Sequence, residues 1–515
     1  MDWRTRALAL LALAAWIALG LWWPGPGADY VHVRRANLVL SAAAAAVVLG
    51  HHRGLVRTAR QELVALAALA AVSFAVYTNV FTFRIHYHEF AHYYLGSKYF
   101  PELRYATLYA ALLRAEAESK GGPPAVAEAR DLAGTGELAQ ADHLVARSQP
   151  VRDAFTPERW RAFRADAAFL RARLGEHYQA VLRDHGFNAS PLWAALGGSL
   201  ANLVPAGSHA GLRALAALDP LLLAGTFAAV WRVFGPRGTL LALAHFCLVY
   251  GATFEWVGGA FLRYMWFSAT ALALCAFARG RALAGGALLG FAAALRVFPA
   301  FFLAAIVLGA MLDALRSRRL PREPVRALAG FLAAVLLLVA LTALVPPGLA
   351  AWPAFAENLW RHASAPMANL IGLTSAVSTL LISSGAVTDA EALASILRAL
   401  RFVAGPAAVL AVAWAARGRP LPAAAVLGIP LVFAGLNLTA YYYAFLVFLT
   451  LVERDRPAVV AGAFAVEAAT YALSLVQGRT AVLFAHRSLF VLALLAGWLL
   501  SRRARAERLA AAAPT

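Results

Sequence analysis

The chain has 515 residues, of which 61% are hydrophobic and only 14% are charged. Soluble domains carry about 25% charged residues, so this composition excludes an ordinary soluble enzyme, and so apolar a chain would collapse rather than stay disordered. The 46 Lys and Arg against 27 Asp and Glu give a net charge of +19, but the placement of the arginines decides against a nucleic-acid partner. The only cysteines, Cys247 and Cys275, lie in apolar runs, which excludes a disulfide framework and a Cys zinc site.

Long apolar runs predict an all-α, polytopic integral membrane protein with about 14 membrane segments. A bilayer core about 30 Å thick needs roughly 17 to 25 apolar residues per helix. Eleven runs meet or approach that length: 7–23, 36–50, 62–83, 216–234, 238–255, 262–278, 325–345, 400–416, 421–437, 457–476 and 481–500. Three pieces are shorter: 282–295, 298–314 and 440–452. Arg296 and Pro299 separate the first two, which predicts two broken half-helices inside the protein.

The arginines set the predicted orientation. Lys and Arg collect in short cytoplasmic loops, and 22 arginines lie in the termini and in the loops on one side of the predicted helices. The long loop 84–215, on the other side, has 15 basic and 13 acidic residues. Arg dominates over Lys in an Ala-rich chain, which is typical of a GC-rich bacterium. We therefore expect a multi-pass protein of the bacterial inner membrane with both termini cytoplasmic.

The predicted organisation has five regions, and its chemistry lies outside or within the membrane because every cytoplasmic loop is short. In the long outer insertion, residues 101–118 and 157–183 have helical periodicity. No internal repeat is visible, which weakens a transporter built on inverted halves. The regions are N-terminal membrane helices (1–83), an exoplasmic helical insertion (84–215), central membrane helices (216–345), a second exoplasmic loop (346–399), and C-terminal membrane helices with a basic cytoplasmic tail (400–515).

The richest stretch for chemistry is residues 84–100, which begin where the third apolar run ends. Glu89 stands there among three histidines and several tyrosines, and an ionisable side chain near a bilayer is costly unless it is used. The alternative is an interfacial aromatic belt in which Glu89 pairs with Arg84 or Lys98. Both interpretations place Glu89 at the outer surface of the membrane.

This stretch and two later ones resemble the GT-C superfamily of polytopic glycosyltransferases, in the bacterial branch that uses polyprenyl-phosphate sugars. Glu89, followed by Tyr93 and Tyr94 and by the 101–118 segment, is similar to the acidic element that begins the first large exoplasmic loop of that family. Arg296-Val-Phe-Pro299 is similar to its basic residue and proline. The segment 437–443, which contains Tyr441, is similar to its late aromatic segment.

The resemblance implies transfer of a sugar from a polyprenyl phosphate to an unknown acceptor glycan, lipid or protein at the periplasmic face. Glu89 would be the general base, and Asp219 is a second candidate carboxylate. Membrane lipid is a further partner, no cofactor is required, and assistance by a divalent cation stays open. The candidate substrate-binding residues are Arg296, Arg263, Tyr93, Tyr94, Lys98, His362, Asn369 and Tyr441.

Several of these residues have a structural alternative. Arg296 needs an anion, and a carboxylate of Glu255 or Asp219 would serve as well as a lipid phosphate. Arg263 flanks the same short loop as Glu255, so those two side chains are expected to pair if neither is functional. His362 and Asn369 each resemble ordinary surface residues when taken alone.

A zinc motif competes for the same segment. His88-Glu89-Phe-Ala-His92 fits H-E-x-x-H, in which two histidines on one helical face bind zinc and the glutamate activates water. This would be a membrane metalloprotease of the site-2 type, with Glu116, Glu118 or Asp219 as the third ligand. A non-enzymatic transporter or flippase for lipid-linked substrates is the remaining alternative.

Overall fold

The computed structural model describes residues 30–78, 83–364 and 367–511. The predicted first span, 7–23, lies outside these residues. The chain is 76% helical, which confirms the all-α class. Four very short strands form two antiparallel pairs, one within the outer insertion and one between distant segments.

The described chain begins with a helical hairpin. Its turn is fixed by a capping box, in which the Thr58 hydroxyl accepts the amide of Gln61 at 3.2 Å while the Gln61 side chain accepts the amide of Thr58 at 3.2 Å. The first helix is held to the C-terminal part of the chain by a buried hydrogen bond from Asn37 to the Tyr471 hydroxyl at 3.0 Å. The two helices are α1, Tyr30–His52, and α2, Ala59–Tyr77.

The long insertion folds around a hydrophobic core of its own, rich in aromatic side chains. The predicted helices at 101–118 and 157–183 are present in shorter pieces, each ended by a turn. The elements are α3 Tyr87–Glu89, a π-helical turn Phe90–Tyr94, α4 Leu95–Lys98, α5 Phe100–Leu103, α6 Leu108–Lys120, β1 Glu128–Arg130, β2 Leu138–Gln140, α7 Ala141–Ala146, α8 Gln149–Asp153, α9 Pro157–Leu174, a 3₁₀ turn Gly175–His177, α10 Tyr178–Leu182 and α11 Pro191–Ala201.

The central region opens with one bent helix where the sequence predicts two spans. The bend is at Gly235, whose φ of 74° is left-handed, and Pro236 follows without a backbone N–H to continue the helix. The predicted spans 216–234 and 238–255 are therefore arms of the same element. The elements are α12 His209–Leu248, a 3₁₀ turn Tyr250–Ala252, α13 Phe254–Val257, α14 Met265–Ala278, α15 Ala282–Leu295, α16 Ala300–Ser317 and α17 Arg322–Thr342.

The break at Arg296 is where the sequence places it, between α15 and α16. The prediction of two half-helices is wrong for α16, which has 18 residues and is long enough to cross a bilayer. Small residues hold α15 against α17 at very close range. A Cβ on Gly286 would lie 1.9 Å from the Ala327 carbonyl oxygen, and one on Gly330 would lie 2.0 Å from the Leu283 carbonyl oxygen.

The C-terminal region includes a helix that the hydropathy pattern did not predict. Residues 373–383 form an apolar helix within the predicted second exoplasmic loop, and the next helix begins ten residues before the predicted start at 400. The elements are a 3₁₀ turn Gly348–Ala350, α18 Ala351–Ser364, β3 Leu370–Ile371, α19 Leu373–Ser383, α20 Ala390–Ala416, α21 Leu421–Ala425, α22 Gly428–Gly435, β4 Leu438–Thr439, a 3₁₀ turn Ala440–Phe445, α23 Leu446–Val452, α24 Pro457–Gln477 and α25 Ala481–Ala511.

Within the described ranges, eight helices are long and apolar enough to cross a membrane: α1, α2, α12, α16, α17, α20, α24 and α25. Five shorter apolar stretches, 265–278, 282–295, 373–383, 421–435 and 440–452, accompany them. The chain is thus a multi-pass membrane protein. Compared with the 14 full or partial segments predicted, two predicted spans form the single helix α12, and α19 lies where no segment was predicted.

Helix α2 connects two polar ends of the membrane region. Near its start, Glu62 receives a bidentate ion pair from Arg237 at 2.9 to 3.0 Å, and Arg237 also contacts the Arg454 carbonyl. Arg237 thus connects the start of α2, the bend of α12 and the loop that contains Arg454. Near its end, the Tyr77 hydroxyl lies 3.3 Å from that of Tyr264, beside the outer insertion.

Candidate functional site

Five of the predicted site residues line one polar cleft. The elements that supply them are α3 with the π-helical turn after it, the loop before α14, the break between α15 and α16, and the 3₁₀ turn Ala440–Phe445. Three aromatic residues that belong to no motif in the sequence complete the lining. The cleft is lined by Glu89, Tyr93, Arg263, Arg296 and Tyr441, together with Trp193, Phe261 and Tyr442.

Glu89 and Arg263 form an ion pair in the wall of this cleft, with side chains 16% and 10% exposed. Burial would raise the pKa of Glu89, but the charges of Arg263 and His86 outweigh it and bring the pKa to about 2. The carboxylate is therefore ionised. The expected alternatives, pairing of Glu89 with Arg84 or Lys98 and pairing of Arg263 with Glu255, are wrong.

The backbone around Arg263 is held in an unusual conformation. Leu262, just before it, has a φ of 53°, which costs a non-glycine residue about 1 kcal/mol or more. Asp219 accepts the backbone N–H groups of Arg263 at 2.8 Å and Tyr264 at 3.1 Å, and the Trp193 indole donates to the Leu262 carbonyl at 3.2 Å. The surroundings therefore fix the strained turn and aim Arg263 into the cleft.

Asp219 lies behind the turn that carries Arg263. Its carboxylate is buried, 4% exposed, and each oxygen accepts a backbone N–H group of the strained turn. The sequence suggested a second catalytic carboxylate or a third zinc ligand. In the structure Asp219 positions the loop that carries Arg263.

The guanidinium of Arg263 retains unused hydrogen-bonding capacity. Its Nη2 contacts Glu89, but Nε and Nη1 are buried without a hydrogen-bond partner. The ring of Tyr441 lies 4.4 Å from its central carbon. Buried donors without partners are costly in a protein interior, so these two point to an anion that the cleft can accept.

Arg296 supplies a second positive charge to the cleft. Its guanidinium lies 5.7 Å from the Tyr93 ring centre and 5.8 Å from the Tyr442 ring centre. Among the residues that the structure describes, it forms no ion pair with a carboxylate. The expected structural pairs of Arg296 with Glu255 or Asp219 are therefore wrong, and its charge faces the cleft.

Tyr94 and Lys98 lie apart from this cleft, although the sequence grouped them with Glu89. The Lys98 ammonium group contacts Asp166 at 2.8 Å, the Tyr94 hydroxyl at 2.7 Å and the Val204 carbonyl at 3.0 Å. All three of its hydrogens have partners in the buried core of the insertion. Both side chains therefore contribute to the packing of that core.

His362 and Asn369 approach the site from the second outer segment. The His362 ring nitrogen Nε2 lies 3.3 Å from the Asn188 amide, and Asn188 accepts a hydrogen bond from Tyr93. Burial first, and then the charge of His185, lowers the pKa of His362 to about 4, so the ring is neutral. The Asn369 carbonyl accepts the Ala440 amide at 2.9 Å, next to Tyr441.

A large apolar cavity adjoins the polar cleft. Its volume is about 430 Å³, and it lies between α2, α12 and the loops that follow α12. Asp219 and Tyr264, which belong to the turn that holds Arg263, form part of its wall. The other lining side chains are mainly aromatic or aliphatic and include Phe74, Tyr77, Phe83, Leu223, Phe227, Phe246 and Phe254.

Glycine makes the close approach between the cavity wall and the Glu89 segment possible. Gly259 has a φ of 71°, and a Cβ there would lie 1.9 Å from the Arg84 carbonyl oxygen. Its own carbonyl accepts the His86 amide at 2.9 Å. The outer insertion is thus connected directly to the loop that leads to Arg263.

The two histidines of the H-E-x-x-H motif lie together, and the third potential ligand beside them is Asp184. The potential ligand atoms of His88, His92 and Asp184 are all within 4.8 Å of one another. None of the expected third ligands is in this group. Glu116 pairs with Lys120 and Arg171, Glu118 pairs with Arg114 and Arg164, and Asp219 holds the turn at Arg263.

No protein-family model matches the chain, and no curated protein or solved structure is significantly similar to it. A functional assignment therefore depends on the arrangement of side chains. The features that carry it are an ionised carboxylate, two arginines with unused charge or donors, and an apolar cavity beside them.

Proposed function

We propose that this protein is a membrane glycosyltransferase of the GT-C type, which transfers a sugar from a polyprenyl phosphate to an acceptor at the periplasmic face. The observation that carries the proposal is the combination of one polar cleft and one apolar cavity that share the turn at Asp219 and Arg263. A lipid-linked phosphate has two matching parts, a charged phosphate for the polar cleft and an apolar tail for the cavity. The acceptor and the sugar are left open.

The phosphate would bind between Arg263 and Arg296. Arg263 has two buried nitrogens, Nε and Nη1, without partners, and Arg296 brings a charge that no described carboxylate neutralises. Guanidinium groups bind phosphate well because their planar fork makes two hydrogen bonds at once. The rings of Tyr441 and Tyr442 limit access of water to these charges.

The polyprenyl chain would lie in the apolar cavity. The cavity is lined by residues of α2 and α12, two of the membrane-crossing helices, so a lipid tail would enter it from the bilayer. Its wall includes Asp219 and Tyr264, so a chain seated there would end near the guanidinium of Arg263. Burial of an apolar tail contributes about 25 cal/mol for each Å² removed from water.

Glu89 would act as the general base. An acceptor hydroxyl attacks the anomeric carbon, the bond from that carbon to the phosphate oxygen breaks, and the electron pair leaves with the phosphate. The acceptor proton passes to Glu89, and a single in-line displacement inverts the anomeric centre. The two arginines stabilise the charge on the departing phosphate, so no protein acid is needed.

Arg263 would exchange partners when the donor binds. A carboxylate in contact with a guanidinium is a weak base, whereas a phosphate competes for the same N–H groups with greater charge. Movement of Arg263 toward the phosphate would leave Glu89 free to accept a proton. The pair would then keep the carboxylate ionised before the donor arrives and release it afterwards.

The metalloprotease alternative has less support. It requires Glu89 to activate a water on zinc, whereas Glu89 contacts Arg263. A flippase for lipid-linked substrates would use the same cavity and arginines but would not need an ionised carboxylate next to them.

The test is a transfer assay with the purified full-length protein in nanodiscs and a set of labelled polyprenyl-phosphate sugars. We expect transfer, or slow hydrolysis when no acceptor is present, with Glu158→Gln as an active control because that carboxylate is 73% exposed on the insertion surface. Movement of intact donor between leaflets without cleavage would favour the flippase. Peptide cleavage that needs zinc would favour the protease.

A further inference from the structure

We propose that His88, His92 and Asp184 bind a divalent transition-metal ion, with zinc the best match, and that this centre fastens the two ends of the outer insertion together. The three potential ligand atoms lie within 4.8 Å of one another. His88 and His92 come from the start of the insertion and Asp184 from its end. The centre goes beyond the sugar-transfer proposal and does not depend on it.

The donor set fits zinc. Zinc is commonly bound by imidazole nitrogen and carboxylate oxygen, and a site with three protein ligands keeps a fourth position for water. Imidazole donors also disfavour magnesium and calcium, which prefer oxygen ligands. The chemical class of the ion therefore follows from two histidines and one aspartate.

The geometry needs a modest contraction. Ligands around a tetrahedral zinc ion stand about 3.4 Å apart when each bond is close to 2.1 Å. His88 Nε2 is already 3.0 Å from Asp184 Oδ2. The widest of the three separations is at most 4.8 Å and would close by no more than about 1.4 Å.

The surrounding hydrogen bonds orient two of the ligands. His92 Nδ1 lies 3.0 Å from the His88 carbonyl oxygen, which matches the outer hydrogen bond that metal-binding histidines usually donate. Asp184 Oδ1 accepts the His185 amide at 2.8 Å, which leaves Oδ2 directed at His88. Arg130 Nε further fixes this segment through the Asp184 carbonyl at 2.9 Å.

Tyr109 occupies the remaining nitrogen of His92 and would yield it to the metal. Its hydroxyl lies 2.7 Å from His92 Nε2 and also accepts the Gly186 amide at 2.9 Å. The Gly186 amide continues to donate to the Tyr109 oxygen when the first bond is lost, and the freed hydroxyl hydrogen then needs another acceptor. His92 itself is 2% exposed, whereas the side chains of His88 and Asp184 are 30% and 45% exposed, which gives an ion access from solvent.

The π-helical turn Phe90–Tyr94 begins two residues after His88 and contains His92. π-Helical turns are rare in proteins as a whole, but those that occur are often found at functional sites. Glu89, between the two ligands in sequence, contacts Arg263 and so does not act on a metal-bound water. A metal at His88 and His92 would therefore fix the segment that carries Glu89, as a structural centre.

The experiment measures metal content and thermal stability of the purified full-length protein without a histidine tag. The protein is stripped with a chelator, reloaded with zinc chloride at micromolar concentration, dialysed and analysed by mass spectrometry for metals. We expect about one zinc per chain, a Tm that falls on stripping and recovers with zinc, and no recovery with magnesium. Failure of the wild-type protein to retain zinc would overturn the proposal.

Variants test the ligands. His88→Ala and Asp184→Asn should each lower zinc affinity by more than the roughly 10- to 100-fold that loss of an outer partner causes. His177→Ala and Asp142→Asn remove the same side chains from exposed positions of the insertion and should retain the metal. Equal zinc content in all four variants would contradict the site. The wild-type Tm response decides the question if a ligand variant does not fold.

Discussion

Two pairs of glutamate and arginine, one within the membrane helices and one in the outer cleft, differ in how fully they are satisfied. Glu467 of α24 and Arg487 of α25 are both 0% exposed. Two hydrogen bonds of 2.6 and 2.8 Å join them, and one carboxylate oxygen also accepts the Tyr250 amide at 2.8 Å. Protein encloses both side chains, and of the three guanidinium nitrogens of Arg487 only Nε lacks a hydrogen-bond partner.

The Glu89–Arg263 pair has the same residue types but a different setting. It lies beside a cleft, Nη2 of Arg263 contacts Oε1 of Glu89, and two nitrogens of Arg263, Nε and Nη1, have no partner. A second arginine, Arg296, faces the same space. The difference teaches that buried charge alone does not identify a functional site. Unused donors that line a cleft beside a second arginine are the stronger indication.

The largest expected effect concerns the side of the membrane on which the outer pair lies. A cysteine at Gln140, exposed in β2, should react with a membrane-impermeant maleimide in intact spheroplasts, whereas one at exposed Ser317 should react only after permeabilisation. The native Cys247 and Cys275 are buried and give little background. The opposite labelling pattern would place Glu89 in the cytoplasm and remove the basis for periplasmic transfer.

The second-largest expected effect is on turnover, when the proposed general base Glu89 is removed. Glu89→Gln keeps the volume of the side chain but cannot take up a proton, so kcat should fall by about 10²- to 10⁴-fold. Its Tm should fall because Arg263 loses its counter-charge, but by less than in the fully enclosed Glu467–Arg487 pair, since Glu89 and Arg263 are 16% and 10% exposed. Steady-state kinetics in nanodiscs measure the first quantity, and unchanged turnover would show that Glu89 is not the base.

The membrane pair should respond in the opposite way. Glu467→Gln leaves Arg487 buried without a counter-charge, and breaking such a pair costs about 3 to 5 kcal/mol of stability. Adding Arg487→Met should restore much of the loss. Chemical unfolding in detergent measures both variants. A Glu467→Gln protein as stable as Glu89→Gln would erase the distinction between the two pairs.

A smaller effect is expected for the second arginine of the cleft. Arg296→Ala removes a partner of the donor phosphate, so KM should rise by about 10- to 100-fold, in line with one hydrogen bond to a charged group. Arg296→Lys should recover only part of this, since an ammonium group does not form the bidentate contact. A change confined to Tm would assign Arg296 to structure.

The sequence predicts the local features of this molecule well. Apolar runs locate most membrane helices, Arg296 and Pro299 mark the break between α15 and α16, and the residues around Glu89 mark a polar segment. Each of these depends on neighbours along the chain, where periodicity and length decide the structure. The merged helix at Gly235 was missed because a glycine and a proline usually end a helix.

The partners of the charged residues could not be predicted. Arg263 is 174 positions from Glu89, and Asp184 is 96 positions from His88. Sequence spacing favours nearby partners such as Arg84 and Lys98, but packing of the insertion against the membrane helices brings distant ones together. Arg487 gave no signal, because a single arginine hardly changes the hydropathy of a long apolar run.

The most direct test of the account removes both charges of the outer pair at once. The Glu89→Gln/Arg263→Gln variant leaves neither member of this pair as an unpaired buried charge, so it should fold with a Tm near that of the wild type. Transfer of labelled sugar from polyprenyl phosphate is then measured for this variant and for the wild type in the same nanodiscs. The account predicts transfer by the wild type and none above background by the variant. Equal transfer by the two proteins would show that the Glu89–Arg263 pair is structural and would contradict it.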